Sequence, residues 1–315
     1  MARARKKRSI PQRRRERAQR NTRQRRQQRL LVQSGLAASA VVVLLLGVWW
    51  FIGRSELAAG EALHQFDTQD FHSLAFDPDD ADTVYFGHHE GLMMSDDGGE
   101  TWADTALSGV DAMQLAMPRG EPERRYVAGH DVFYVSTDAG QSWSEQPNDL
   151  PGLDLHAFAA SSSGPDRLYA IPLGNGLWTS ADGGVAWAEA TMPAGAETQP
   201  IALAVSPSDS ETVYLARNGE IAVSTDGGVT WESTPGPGGI ITTLAVASDE
   251  DETLYAGTNQ GTYRLENSWR RLSLKTDGVV VTLAVNANDP DRVAVIDLGG
   301  NFYRSDDAGT SWQMR

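Results

Sequence analysis

The 315-residue sequence contains no cysteine, which excludes disulfides and thiolate metal sites and leaves any folded domain dependent on its core alone. Basic residues are scarce beyond residue 30. Of the 27 Lys and Arg, fourteen lie between Arg3 and Arg29, against the single acid Glu16. The rest of the chain has thirteen bases and forty-one acids, a balance of −28 that the whole-chain charge of −15 conceals. A surface of that sign repels nucleic acid and favours solubility. Charge of either sign is absent from "GLAASAVVVLLLGVWWFI", residues 35–52.

At about 1.5 Å per residue, a helix over that apolar stretch nearly spans a hydrocarbon core. Trp49 and Trp50 suit a headgroup interface, and the basic residues upstream place the N-terminus in the cytoplasm. The competing reading is a cleaved signal peptide. The basic region is long for one and "SELAAGEA" is a poor cleavage site, so an uncleaved anchor is expected, with no twin-arginine consensus. The basic arm reads as a topology signal that also touches anionic lipid; this needs no nucleic-acid partner. The expected organisation is a cytoplasmic arm over 1–31, a single transmembrane helix over 32–53, a linker over 54–68 and an extracytoplasmic domain over 69–315, in a single-pass protein of the cell membrane.

The domain is repetitive. "SDDGGETW" at 95–102 recurs as "STDAGQSW" at 136–143, "SADGGVAW" at 180–187, "STDGGVTW" at 224–231 and "SDDAGTSW" at 305–312, and a degenerate copy, "RLENSW", ends at Trp269. The six tryptophans lie 41, 44, 44, 38 and 43 residues apart, defining six units of about forty residues. Each unit opens with an apolar run such as "FHSLAF" or "VVTLAV" and continues through a Pro- and Asp-rich turn. Two further short runs precede the octapeptide, and a fourth follows it. Four short antiparallel strands repeated six times predict an all-β fold, a six-bladed β-propeller whose first strands line the axis. Since "WQMR" is the last strand of the sixth unit, closure is expected from contact between blades six and one, assisted by "EALHQF".

The pattern S-x-D-x-G-x-x-W resembles the Asp box, or BNR repeat, of sialidases, sortilin-type receptors and photosystem II assembly-factor propellers. The resemblance covers residues 71–312. It implies that the box is a structural turn between the third and fourth strands of a blade. The side chains agree: aspartate bonds nearby amides, glycine permits positive φ, and tryptophan packs between blades. Asp97, Asp138, Asp182, Asp226 and Asp307 are therefore turn formers. Spread around the rim of one face, face two, they cannot converge on a substrate.

Sialidases also imply three substrate-binding arginines, a tyrosine activated by glutamate and an acidic aspartate, the first arginine lying in an Arg-Ile-Pro stretch. No such stretch is present. Arg119, Arg124, Arg125, Arg167, Arg217 and Arg292 fall mostly in loops assigned to face two, away from any central cluster. The acidic turns "DPDDAD", "SDEDE" and "NDPD" on that face match no EF-hand spacing and read as solvated turns.

All six histidines lie between residues 64 and 156. Aligning first strands on Leu74, Leu115 and Phe158 brings Asp70, Asp111 and Asp154 into register, with His72, Met113 and His156 two residues later. The second-to-third loops add His88 and His89 in "GHHEG" and His130 in "GHDV", with His88 aligned to His130. These positions share face one. Imidazoles beside carboxylates suit zinc, iron or copper(II), and Met113 would help only with copper(I). The alternative is that the same residues line a wet channel. A single histidine such as His64 adds no weight to either reading.

Two functions follow as expectations. The first is a non-catalytic binding or assembly module for a protein partner at or outside the membrane, with a metal site built from His72, His88, His89, His130 and His156; the sortilin-type and assembly-factor resemblance implies this role. The second is a sialidase-like or other exo-glycosidase drawing on the axial acids Asp70, Asp111, Asp154, Glu90 and Asp131, for which two carboxyls about 5 to 10 Å apart are required.

Overall fold

The computed structural model describes residues 62–68, 70–196, 202–217, 219–276 and 278–313. The basic arm, the apolar segment and most of the expected linker lie outside them. Among the described residues no helix is long and apolar enough to cross a membrane.

A two-residue strand, β1 (His64–Gln65), precedes the repeats. Blade one comprises β2 (Ser73–Phe76), β3 (Val84–His88), β4 (Gly91–Ser95) and β5 (Ala103–Ser108). Blade two comprises β6 (Gln114–Ala116), β7 (Arg125–Gly129), β8 (Val132–Ser136) and β9 (Ser144–Glu145). β10 (Leu155–Ala160), β11 (Leu168–Pro172), β12 (Trp178–Ser180) and β13 (Ala188–Glu189) make blade three. β14 (Leu203–Val205), β15 (Val213–Arg217), β16 (Glu220–Ser224) and β17 (Glu232–Pro235) make blade four. β18 (Ile241–Val246), β19 (Leu254–Thr258), β20 (Gly261–Leu265) and β21 (Trp269–Arg271) make blade five. Blade six holds β22 (Val280–Val285), β23 (Val293–Asp297) and β24 (Asn301–Ser305), with β1 as its fourth strand. Every pairing is antiparallel.

The second strands are well buried, because their two faces lie against the neighbouring blades. β7, β11, β19 and β23 are buried at every residue, whereas the outer strands β9, β13 and β17 are exposed throughout. The first strands surround an axial cavity of about 250 Å³, reached by His72, Gln114, Phe158, Leu203, Thr242 and Thr282.

Closure differs from the sequence expectation in one respect. Of the expected last strand "WQMR", residues 314 and 315 lie outside the described residues, and Gln313 forms a bridge to Arg304. Beyond it, along the same edge of β24, β1 pairs His64 with Phe302 and Gln65 with Asn301. Residues 63–66 thus belong to the last blade rather than to a linker. Phe66 anchors them, its ring 4.3 Å from that of Phe86 and 5.0 Å from Trp102 of blade one. A short polar strand gains a place here because its flanking Leu63 and Phe66 are buried in the core between blades six and one.

Candidate metal centre and the Asp-box turns

The histidine cluster is assembled by backbone that runs from one blade onto the next. His72 immediately precedes β2, and its amide donates to Gly87 O (3.3 Å). His89 sits in the two-residue turn between β3 and β4, His130 in the equivalent turn between β7 and β8. The segment entering blade two crosses over blade one, with Ala112 N donating to His88 O (3.0 Å). Its close passage requires small residues beneath it. A Cβ on Gly129 would lie 1.8 Å from Asp111 O, and one on Gly87 would lie 2.3 Å from Ala112 O.

The result is a row of four rings interleaved with carboxylates. Ring centroids are 4.4 Å apart for His72 and His89, 6.1 Å for His89 and His130, and 5.8 Å for His130 and His156. Asp111 Oδ2 lies 2.9 Å from His89 Nδ1 and 2.6 Å from His130 Nδ1, while its Oδ1 faces His72 Nε2 at 3.9 Å. Asp154 Oδ1 lies 3.1 Å from His130 Nε2 and 3.0 Å from His156 Nε2. Asp70 is at the margin, 3.6 Å from His89 Nε2. Two sets, His72–His89–Asp111 and His130–Asp154–His156, each bring three donor atoms within 4.8 Å of one another.

Several of these atoms are buried without a hydrogen-bond partner: His72 Nε2, Asp111 Oδ1 and Asp154 Oδ1. An unsatisfied buried polar atom is costly, and here three of them are aimed into one cluster. Burial, reinforced by the neighbouring His89, lowers the His72 imidazole from 6.5 to about 4. At neutral pH it is therefore uncharged, with a lone pair available to a cation.

His88 is turned away from the row. It stacks on Phe86 (5.5 Å, 14° between planes), its Nδ1 accepts from Glu90 N, and burial lowers its pKa. Strand register explains the difference from the sequence alignment. Leu74 pairs with Phe86 and Leu115 with Val127, so the residue equivalent to His130 is His89, one position later than the shared Gly-His dipeptide suggests. Glu90 and Asp131 occupy the same turns but join neither set. Met113, in the register position of His72, is buried.

The boxes are built alike and lie on the opposite face. In each intact copy the serine hydroxyl donates to the aspartate and accepts from the second glycine or its equivalent: Gly99, Gly140, Gly184, Gly228 and Gly309 all donate to their serine at 2.8–2.9 Å. The aspartate accepts from the amide four residues on, at Thr101, Ser142, Ala186, Thr230 and Ser311. The second glycine has φ between 81° and 99° in all five. Trp102 meets Phe302 of blade six (5.4 Å), and Trp187 meets Phe133 of blade two (6.1 Å), so the tryptophans seal blade to blade.

Residues 131–236 match the family model for sortilin, neurotensin receptor 3. The chain is an Asp-box propeller. Among solved structures it is similar to a GH74 xyloglucanase from Xanthomonas campestris (18% identity, TM-score 0.57), covering 80% of this chain but only 46% of the enzyme. YCF48 bound to D1 peptide is 21% identical with a TM-score of 0.51, over 83% of this chain and 86% of that one. A gluconolactonase from Xanthomonas campestris is 15% identical with a TM-score of 0.58, over 81% and 93%. Likeness at these identities shows the fold alone. No curated protein matches the chain.

Among the described residues of this Asp-box propeller, the arginines do not form a central cluster. Arg292 of blade six pairs with Asp82 of blade one, Arg125 of blade two with Asp77 of blade one, Arg124 with Asp166 of blade three, and Arg167 with Glu211 of blade four (2.8 Å). They tie four of the six neighbouring pairs of blades on face two, from blade six through one, two and three to four. Arg119 reaches further, donating to Ala287 O of blade six at 3.2 Å. Of the acidic partners, Asp77 and Asp82 belong to the turn "DPDDAD", whereas Asp166 and Glu211 lie in none of the acidic turns noted in the sequence.

Proposed function

We propose that the protein is a non-catalytic binding module, anchored in a membrane by residues 32–53 with its basic arm on cytoplasmic anionic lipid. The propeller stands on the extracytoplasmic side and presents a transition-metal site on face one to a protein partner. The observation that carries this reading is the row of four imidazoles around Asp111 and Asp154, with His72 Nε2 and Asp111 Oδ1 facing each other unpartnered. Neutral imidazoles with carboxylates suit zinc, iron or copper(II). Exposed apolar side chains on the same face support a protein partner: Leu173 and Leu298 follow the second strands of blades three and six, and Ile240 precedes the first strand of blade five. The peptide bound to the similarly folded YCF48 is in keeping with this.

The xyloglucanase and gluconolactonase among similar structures keep glycoside or lactone hydrolysis in view. Paired-carboxylate hydrolysis needs free space between the carboxyls for the sugar and a water. Here the imidazole of His130 fills the gap between Asp111 and Asp154, contacting both. That favours binding over hydrolysis.

The test is metal analysis of the purified full chain beside a variant in which His72, His89, His130 and His156 are all alanine. The expected result is a bound first-row metal in the wild type and its loss in the variant. Equal and negligible metal in both overturns the metal site.

A further inference from the structure

We infer that the row holds two metal ions, one in each of two adjacent centres built from two imidazoles and one carboxylate: His72, His89 and Asp111 in the first, His130, His156 and Asp154 in the second. This rests on the reading above that the row is a metal site.

The division comes from the donor atoms. A first-row ion bonded to nitrogen and oxygen at about 2.0–2.2 Å holds adjacent donors roughly 3–3.5 Å apart. Asp154 Oδ1, at 3.1 Å from His130 Nε2 and 3.0 Å from His156 Nε2, already has that spacing and no hydrogen bond. The three atoms form one face of a coordination shell. In the first centre His72 Nε2 and Asp111 Oδ1, 3.9 Å apart and both unpartnered, need to close by only a fraction of an ångström. His89 supplies the third donor.

His130 explains why the centres are separate yet joined. With Nε2 committed to the second ion, its Nδ1 is left 2.6 Å from Asp111 Oδ2, within reach for an N–H to be shared with that carboxylate. A ligating histidine characteristically donates its other nitrogen to a carboxylate, which fixes the tautomer and raises its basicity. Asp111 is thus a ligand of the first ion through Oδ1 and the outer support of the second through Oδ2. Each centre uses three protein donors and leaves coordination positions open, as sites that take an exogenous ligand do. His89, His130, Asp154 and His156 are all partly exposed, between 39% and 46% of the side chain, so both centres are reached from face one.

The experiment is equilibrium dialysis of the full chain against Zn²⁺, with zinc counted by elemental analysis, and a Co²⁺ titration followed by its visible absorption. Four variants accompany the wild type: His72→Ala, His156→Ala, His156→Gln as a gentler form, and His88→Ala as a control outside the row. Thermal melts establish that each is folded. Two equivalents are expected in the wild type and in His88→Ala, and one in each of the other three. A single equivalent in the wild type, lost in His72→Ala but kept in His156→Ala and His156→Gln, overturns the pair and leaves one ion on Asp111. Two equivalents retained in every variant overturn the assignment of ligands. No bound metal in the wild type overturns the metal reading itself, and this inference with it.

Discussion

At the scale of single residues, the Asp box shows how a motif with the composition of an active site is instead a hydrogen-bonding device. Its serine is the buried member: Ser224 is 1% exposed and its oxygen accepts from Gly228 N. Ser224→Ala leaves that buried amide without a partner, so a loss of about 1–3 kcal/mol is expected in urea denaturation of the propeller. The aspartates act through ionisation. Hydrogen bonds from Ser142 to Asp138 and from Thr230 to Asp226 pull those carboxyls from 3.8 to about 2. At Asp97 burial opposes ionisation, but bonds from Thr101, Ser95 and Glu100 N outweigh it and give the same value. Asp182 and Asp307 are lowered too. A carboxyl whose folded pKa is depressed contributes stability above its unfolded pKa and loses it as pH falls through the folded value. Unfolding free energy should therefore fall between about pH 4 and pH 2, and replacing Asp138 and Asp226 by asparagine should flatten that slope. An unchanged slope in the double variant would show that the box carboxylates are not its source.

At the scale of elements, strand order and the role of the box were legible because a repeated pattern averages out local ambiguity. What the repeat could not show lies where it is broken. β1 is two residues long with polar side chains, and no unit-to-unit comparison finds it. It is held by its flanking residues Leu63 and Phe66, each 6% exposed. Phe66→Ala should cost about 3–5 kcal/mol, the range for truncating a buried aromatic, with the loss read as a lower urea midpoint; His64→Ala, in β1 itself, should move it far less. The turns that carry His89 and His130 were misaligned by one residue for a related reason. "GHHEG" and "GHDV" share a dipeptide, but register is set by pairing across β3 and β4 and across β7 and β8. Gly129 was likewise invisible as a site residue, since its role is to have no Cβ under Asp111. Gly129→Ala forces the Asp111 segment outward, and the propeller should stay folded, at a cost of about 1–3 kcal/mol for overpacking, while losing bound metal. Wild-type metal content in that variant would separate Asp111 from the site.

At the scale of the whole molecule, the ring carries a large acidic excess and is crossed on face two by arginines that join adjacent blades, and salt acts on the first of these features but not on a buried contact of the second. The sequence revealed the excess, but not that the few arginines are spent on the seams, because each seam pairs residues about forty positions apart or, for Arg292 and Asp82, across the closure of the ring. Repulsion among exposed acids is long-ranged and is screened over about 8 Å at physiological ionic strength. The Arg125–Asp77 contact is shielded: the residues are 3% and 8% exposed, and Arg125 also bonds the hydroxyl of Tyr85. Raising salt from about 0.01 to 0.15 M should therefore increase the melting temperature of the wild type by relieving surface repulsion. Arg125→Met leaves Asp77 buried without its cation, and removing one partner of a buried pair costs about 3–5 kcal/mol, so its melting temperature should be lower at every salt concentration. The increment gained from salt should be the same in both proteins, because the lost contact was never exposed to the ions. If the variant's deficit instead shrinks as salt rises, the pair is screened, and the blade-one to blade-two seam is more open to solvent than its burial indicates.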